Sequence, residues 1–440
     1  MTEPIEDREA GLERALSSRL LITLALGQSI GTGLFLGSGI SVRMAGPGVV
    51  ISYIVGAGIT FLVIRALSEM TAAHPVAGSF GAYAELFLNP FAGWVTRYTY
   101  CMAQLIAVGS QILAVSIYCR YWLPGVPAWV WIAGFSIILI LINALQVGNF
   151  GELEFWFSLV KILAIILFLI FGFALFAGVG IARHSLENYT AFGGFLPNGW
   201  AGVWSAVTVA LFSYYGLEAA ALGSGEAKEP GQTVPRALRC SLGTVALFYT
   251  VSLTILVGVV PWNTAGIDES PFVRVYRLMG IPAAAAVMNF VVLTAALSSL
   301  NSNLYVTARM IFSLARSGQA PAGLGRLRSH GVPLNAVLAS GGGLVIAAGL
   351  QHHFADIAYV YMLGAALFGA IFCWAMIFIA HFGFRRGGPF PKDSLIGLLL
   401  LLSVLVTMAF IPEMRNAWVA GIPWLAFISL IYLVFKRKSA

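Results

Sequence analysis

The sequence predicts an all-α integral membrane protein of about 12 transmembrane helices, on three observations. Apolar residues make up 59% of the 440 and charged residues only 10%, where a soluble domain carries about 25% charge. Apolar runs of about 20 residues, the length that crosses the hydrocarbon, recur from one end of the chain to the other. The basic residues between them alternate in density, as the positive-inside rule requires. A chain this poor in charge cannot cover itself with a polar surface in water, so lipid must solvate it. The net charge of +7 then reads as positive-inside bias, and no nucleic-acid partner is expected.

In chain order, residues 1–18 form a polar tail with five acids. This lacks the basic-then-apolar pattern of a cleaved signal peptide, so the first apolar run is expected to stay as a span. Spans follow near 19–43, 46–68, 91–123, 127–147, 153–179, 200–226, 237–260, 283–313, 334–350, 355–382, 394–411 and 416–436. No separate soluble domain is expected. With the N-terminus inside, 18 basic residues fall on inner loops against six outside, and Lys161 lies within a span; together these are the 25 Lys and Arg. The expected topology is multi-pass with both termini cytoplasmic, in the cell's inner membrane. Cys101, Cys119, Cys240 and Cys373 sit within or beside apolar segments without metal-ligand spacing and read as packing residues.

Two spans differ from the rest. The first contains Gly27, Gly31, Gly33, Gly37 and Gly39 around Gln28-Ser29 and Thr32; the sixth contains Phe212-Ser213-Tyr214-Tyr215-Gly216-Leu217-Glu218 and a second Gly-Ser-Gly at 223–225. Each glycine costs a helix about 1 kcal/mol against alanine. Five spans apart, the two would enter the membrane from opposite sides. Paired glycine-interrupted spans point to an inverted-repeat transporter with its site at the breaks; close glycine packing between unbroken helices is the alternative.

Four stretches carry a family resemblance. They are Gln28-Ser29-Ile30-Gly31-Thr32-Gly33 through Gly39; Asn143 with Gly148 to Lys161; Phe212 to Ala237, with Gly216, Glu218, Glu226, Pro230 and Pro235; and Ser298 to Asn335, with Asn301, Arg309 and Arg316. In order and at matching spacing, they resemble bacterial amino acid permeases of the amino acid–polyamine–organocation superfamily. That resemblance implies the LeuT-type fold: two inverted five-helix repeats (about 19–180 and 200–382, a core over 19–380), with helices 1 and 6 broken, and two accessory helices at 394–436. It implies uptake of amino acids, neutral L-amino acids by proton symport in our reading. A cationic amino acid or polyamine carrier and an exchanger are the alternatives. Two positions depart from the family pattern: Gln111 stands where many relatives carry an acid in helix 3, and Arg97-Tyr98 where a Gly-Trp pair is usual.

The substrate's carboxylate must lose its water near the midplane. Backbone N–H groups and a positive helix end at Ser29, Ile30, Gly31, Thr32 and Gly33 can replace that water. The ammonium needs acceptors, expected among the carbonyls of Gln28, Ser29, Phe212 and Ser213, with Gly216 at the second break. Phe212, Tyr214 and Tyr215 form either a gate over the side chain or ordinary packing. Glu218, an acid at membrane depth and costly there by about 2.5–3.5 kcal/mol, must face a cavity or a partner. It binds a cationic group, carries the coupling proton, or holds the helix-6 break by a hydrogen bond. Lys161 either snorkels to the interface or, as the resemblance implies, stands in for the sodium ion of related transporters and carries the proton. Ser298, Ser299 and Asn301 are further site candidates. Glu152, Glu154 and Glu226 read as rim charges, and the histidines have no metal-like partners. No cofactor or metal is expected, and neither a paired-acid nor a Ser/His/Asp set suggests an enzyme.

Overall fold

The computed structural model describes residues 17–76, 79–145, 150–176, 187–222, 224, 227–278, 280, 282–328, 332–412 and 414–439. The N-terminal tail, Gly223, Gly225, Glu226, His184, His330 and the side chains of Glu152 and Glu154 lie outside the described residues. Among the described residues there is no β-strand, and nine helical segments are long and apolar enough to cross a membrane. One of them, Ser18–Ala73, has 56 residues. Straight, it would measure about 84 Å, far more than the ~30 Å of hydrocarbon.

Glycines divide that segment. Helix α1 (Ser18–Ser29) begins where the Ser17 hydroxyl accepts from the Leu20 N–H and ends at Ile30, whose backbone is extended (φ −79°, ψ 90°). A π-wound turn, Gly33–Gly37, leads into α2 (Ser38–Ala45). Gly46 (φ +63°) and Gly48 turn the chain into α3 (Val49–Ala73). The next element, α4 (Ser79–Phe87), is a short helix that the span pattern does not predict. Helix α5 (Pro90–Cys119) starts on a strong signal: Asn89 caps the Ala92 N–H at 2.9 Å and Pro90 takes the first helical position.

Helices α6 (Ala128–Leu145) and α7 (Phe150–Phe176) follow. Helix α8 (Gly199–Tyr214) stops at Tyr215, whose extended backbone leads to Gly216 at φ +103°, a conformation that favours glycine. A single turn, α9 (Ala219–Leu222), resumes beyond it. Then come α10 (Pro230–Val259), a second unexpected short helix α11 (Pro271–Leu278), and α12 (Pro282–Arg316). The expected single span at 334–350 is two pieces, α13 (Leu334–Ser340) and α14 (Gly342–His353), separated at Gly341. The chain closes with α15 (Ala358–Phe384), α16 (Lys392–Met408) and α17 (Asn416–Ser439).

Helix α1 is enclosed by α7, α10 and α12, while α8 packs on α2 and α3. Helix α5 lies between α12, α14 and α15. The apolar window of the α8–α9 segment is 89% buried and that of α17 only 17%. The interrupted helices are therefore the centre of the bundle, and α17 is an outer element against α5 and α15. The central helices approach closely through missing side chains. A Cβ on Gly343 would lie 1.8 Å from the Leu105 carbonyl oxygen, whereas one on Gly58 would meet nothing within 4 Å.

This contrast yields a stability prediction. Gly343→Ala must separate α14 from α5, an overpacking cost of about 1–3 kcal/mol or more, and should lower the melting temperature in detergent by several degrees. Gly58→Ala should leave it unchanged or slightly raised. Differential scanning fluorimetry of the two variants beside the parent checks the pair.

Candidate functional site

Two helix interruptions meet in the middle of the bundle. Gly216 leaves no room for a side chain: its Cβ would lie 2.9 Å from Gln28 Cβ. Gly33 meets Ser213 in the same way, at 2.8 Å from the Cα, and Gly31 meets the Ser299 Oγ at 2.7 Å. These glycines thus bring α1, α8 and α12 together, besides keeping backbone atoms accessible. Between them lies a narrow cavity. Gln28, Ser29, Gly31, Thr32 and Gly33 line it from the first interruption, and Phe212, Tyr215 and Gly216 from the second; Ala107 and Gln111 of α5 and Ser299 and Asn303 of α12 close it.

Ending a helix in lipid releases carbonyls that water cannot serve. Around the first interruption, side chains from four other helices serve them. Lys161 of α7 donates to the Gly27 carbonyl (2.6 Å) and Ser299 of α12 to that of Gln28 (2.9 Å). Tyr249 of α10 donates to the carbonyl of Ser29 (2.8 Å), and Tyr359 of α15 to that of Thr32 (3.1 Å). The Tyr249 hydroxyl also lies 3.2 Å from the Ser213 carbonyl, so one hydroxyl spans both interruptions. The N–H groups that open the following helical turn have no acceptor within their own helix, and Gly31, Thr32 and Gly33 at this turn line the cavity.

Of the residues expected at the site, Ser29, Gly31, Thr32, Gly33, Phe212 and Gly216 line the cavity, and Ile30, Ser213, Tyr214 and Glu218 do not. Ile30 is fully buried. Ser213 Oγ pairs with the Tyr53 hydroxyl (3.0 Å). Tyr214 points the other way from Tyr215, donating to the Tyr53 carbonyl at 3.0 Å within a Tyr53–Tyr214–Tyr249 cluster. Helix α8 ends between Tyr214 and Tyr215, so only the second ring turns into the cavity.

Glu218 sits behind the second interruption. One carboxylate oxygen accepts the Gly216 N–H (3.1 Å) and the other the Tyr100 hydroxyl (3.1 Å), which also accepts from Gln104 Nε2 (2.7 Å). The acid is 1% exposed and spans the break that Gly216 makes. Lys161 does not snorkel: it is 1% exposed, with its ammonium on α1. The carbonyls of Gln28, Ser29 and Ser213, expected to receive a substrate ammonium, already accept hydroxyls. Asn301 faces α6, where Asn143 Nδ2 donates to its Oδ1 (2.8 Å), and so leaves the cavity wall to Ser299 and Asn303.

Sequence reasoning missed Asn303, Ala107, Tyr249 and Tyr359 and noted Gln111 only as a departure. Gln111 and Ala107 are four apart on α5, one face of a helix. Ser299 and Asn303 repeat that spacing on α12.

The other departure, Arg97, is held by Glu85 of α4 at 2.5 Å, both partners mostly buried. The same end of the bundle carries a second polar cluster. His381 Nδ1 lies 2.8 Å from Ser394 Oγ and its Nε2 3.2 Å from Glu69, which also pairs with Arg385, while Arg65 pairs with Asp393. Histidine is therefore used here to join α3, α15 and α16. Among the described residues, no group of three or more His, Cys, Asp or Glu is placed to hold a metal ion.

Comparison with known proteins gives one answer. Residues 21–439 match the family model described as "Amino acid permease". The chain is 36% identical to the uncharacterized amino acid permease YtnA of Bacillus subtilis (strain 168), over 99% of this chain and 98% of that protein. It is 35% identical to the aromatic amino acid transport protein AroP of Escherichia coli (strain K12), over 98% and 96%. It is 36% identical to the amino-acid permease RocC of Bacillus subtilis (strain 168), over 99% and 97%.

Removing the hydroxyl that spans both interruptions should be costly. Tyr249→Phe leaves two buried carbonyls without that donor, and such a loss costs about 1–3 kcal/mol. The variant should melt several degrees below the parent in detergent and bind substrate more weakly; equal melting and binding would show that the hydroxyl is dispensable.

Proposed function

The chain belongs to the amino acid permeases of the amino acid–polyamine–organocation superfamily, and from that premise we propose that it takes up a neutral L-amino acid across the inner membrane by proton symport. The observation that carries this reading is the pair of helix interruptions around one small cavity, with Gly31, Thr32 and Gly33 on one wall and Lys161 tied to the Gly27 carbonyl behind it. In the proposed arrangement helices 1 and 6 are the broken helices of two inverted five-helix repeats, about 19–180 and 200–382. The accessory helices at 394–436 lie outside that core, twelve spans cross in all, and both termini are cytoplasmic. The polar end with Arg65, Arg97 and Arg385 then faces the cytoplasm.

The substrate carboxylate meets the N–H groups of Gly31, Thr32 and Gly33, where the positive end of a helix favours an anion. A neutral side chain is favoured because Glu218 turns to Gly216 and Tyr100, so among the described residues no carboxylate lines the cavity. Its place across the break supports a role for Glu218 in holding helix 6, over binding a cationic group or carrying the proton. Phe212 and Tyr215 present rings to the substrate, and the aromatic transport in AroP's name fits such a wall.

Coupling runs through Lys161. A charged ammonium holds the Gly27 carbonyl by a charge-assisted bond, about twice as strong as a neutral one. Loss of the proton weakens the tie between α7 and α1 and frees the first interruption to move. Because an ammonium already bridges these helices, no sodium ion is needed.

In proteoliposomes, uptake from a panel of labelled amino acids should require an inward proton gradient and be indifferent to sodium. Lys161→Ala should abolish accumulation, and Lys161→Arg should do nearly as badly, since guanidinium does not release its proton. Near-normal proton-driven uptake by the arginine variant, or a sodium requirement in the parent, would overturn the coupling role. Counterflow without net accumulation in the parent would make it an exchanger.

A further inference from the structure

Two of the residues that line the cavity carry a buried amide oxygen without a donor. Gln28 Oε1 and Gln111 Oε1 have no hydrogen-bond partner among the described residues, and their side chains are 4% and 5% exposed. Two hydroxyls, of Thr32 and Tyr215, stand in the same walls. Hydroxyls can donate as well as accept, so either can serve a carboxylate. Amide oxygens only accept, so each of the two needs a donor, and a buried acceptor left unmade is expensive.

The bonds of Ser299 fix which way Gln111 faces. The Ser299 hydroxyl spends its hydrogen on the Gln28 carbonyl (2.9 Å), so it can only accept from Gln111, at 2.9 Å from Nε2. Gln111 therefore turns its oxygen away from Ser299. Gln28 gives its Nε2 to Asn303 Oδ1 (2.9 Å) and likewise keeps its oxygen free.

The two amides are anchored on α12 residues four apart, Ser299 and Asn303, and reach the cavity from different helices, α5 and α1. Gln28 belongs to the first interruption, next to the N–H groups that take the carboxylate, and so receives the ammonium. Gln111 stands on the opposite wall, on α5 beside Ala107.

We infer that Gln111 Oε1 selects the substrate's side chain, and that the substrate class is neutral amino acids carrying an O–H or N–H donor on that side chain. This rests on the amino acid site proposed above and adds a requirement to it. A site built around a hydrogen bond rejects the isostere that lacks the donor far more strongly than an apolar pocket rejects a missing methylene.

The test uses purified protein in detergent and isosteric pairs: threonine against valine, asparagine against leucine, tyrosine against phenylalanine. An apparent Kd for each amino acid comes from the concentration dependence of thermal stabilisation. In the pair that binds best, the donor-bearing member should bind at least tenfold tighter. Gln111→Leu, which keeps the bulk and removes the acceptor, should bring that ratio to about threefold or less. Equal binding within every pair by the parent protein overturns the inference while leaving the amino acid site standing, and does so whether or not the leucine variant folds. A ratio that persists in Gln111→Leu overturns the assignment to this residue. Stabilisation by no amino acid at all overturns the site itself, and this inference with it.

Discussion

A backbone carbonyl at membrane depth must find a protein donor, because hydrocarbon offers none. Interrupting a helix there is therefore a structural debt, and in this protein four helices meet it around α1. Lys161, Ser299, Tyr249 and Tyr359 each reach one carbonyl on or beside the first interruption. Their parent helices α7, α12, α10 and α15 are thereby fixed about one point. The second interruption is held from both sides, by Tyr249 on the Ser213 carbonyl and by Glu218 across Gly216. Whatever moves the first interruption must break these bonds, so the residues that make them are where binding can be coupled to a change of shape.

The glycines serve the same end by a different route. Gly31, Gly33 and Gly216 remove the side chains that would hold Ser299, Ser213 and Gln28 at a distance. Only Gly216 also needs its positive φ. A leucine at Gly33 would push α8 away before it filled any ligand's place, so loss of binding in such a variant reports helix packing as well as site chemistry. Farther out, the ion pairs at the polar end differ in weight. Arg65 and Asp393 are largely exposed and contribute little. Arg97 and Glu85 are 15% and 12% exposed and tie α4 to α5, so neither can be lost alone without stranding a buried charge.

Much of the fold was legible because lipid imposes one simple requirement, an apolar run long enough to cross. The runs at 127–147 and 394–411 lie close to α6 and α16. Short helices escaped because α4 and α11 have under ten residues, too few for periodicity to speak; yet Ser270-Pro271 was a helix-start signal there to be read. The site was half legible. Glycine and polar residues inside an apolar run mark an interruption, so the two interruptions, with Ser29, Gly31, Thr32, Gly33, Phe212 and Gly216 on the cavity, were legible. Direction was not: helical periodicity ends at Tyr214, and beyond it spacing no longer says which ring faces the cavity. Tyr249 and Tyr359 were invisible because a tyrosine in an apolar helix reads as packing until its hydroxyl's partner is known. Gln111 drew notice only as a substitution for an acid, and its free oxygen is a fact of geometry alone.

The first interruption, held open by side chains of four other helices, is proposed as the carboxylate site. A cryo-electron microscopy structure with the transported amino acid bound tests it most directly. The substrate should lie between the two interruptions, its carboxylate within hydrogen-bond distance of the N–H groups of Gly31, Thr32 and Gly33. A substrate seated elsewhere, or a continuous helix through residues 29–33, would contradict it.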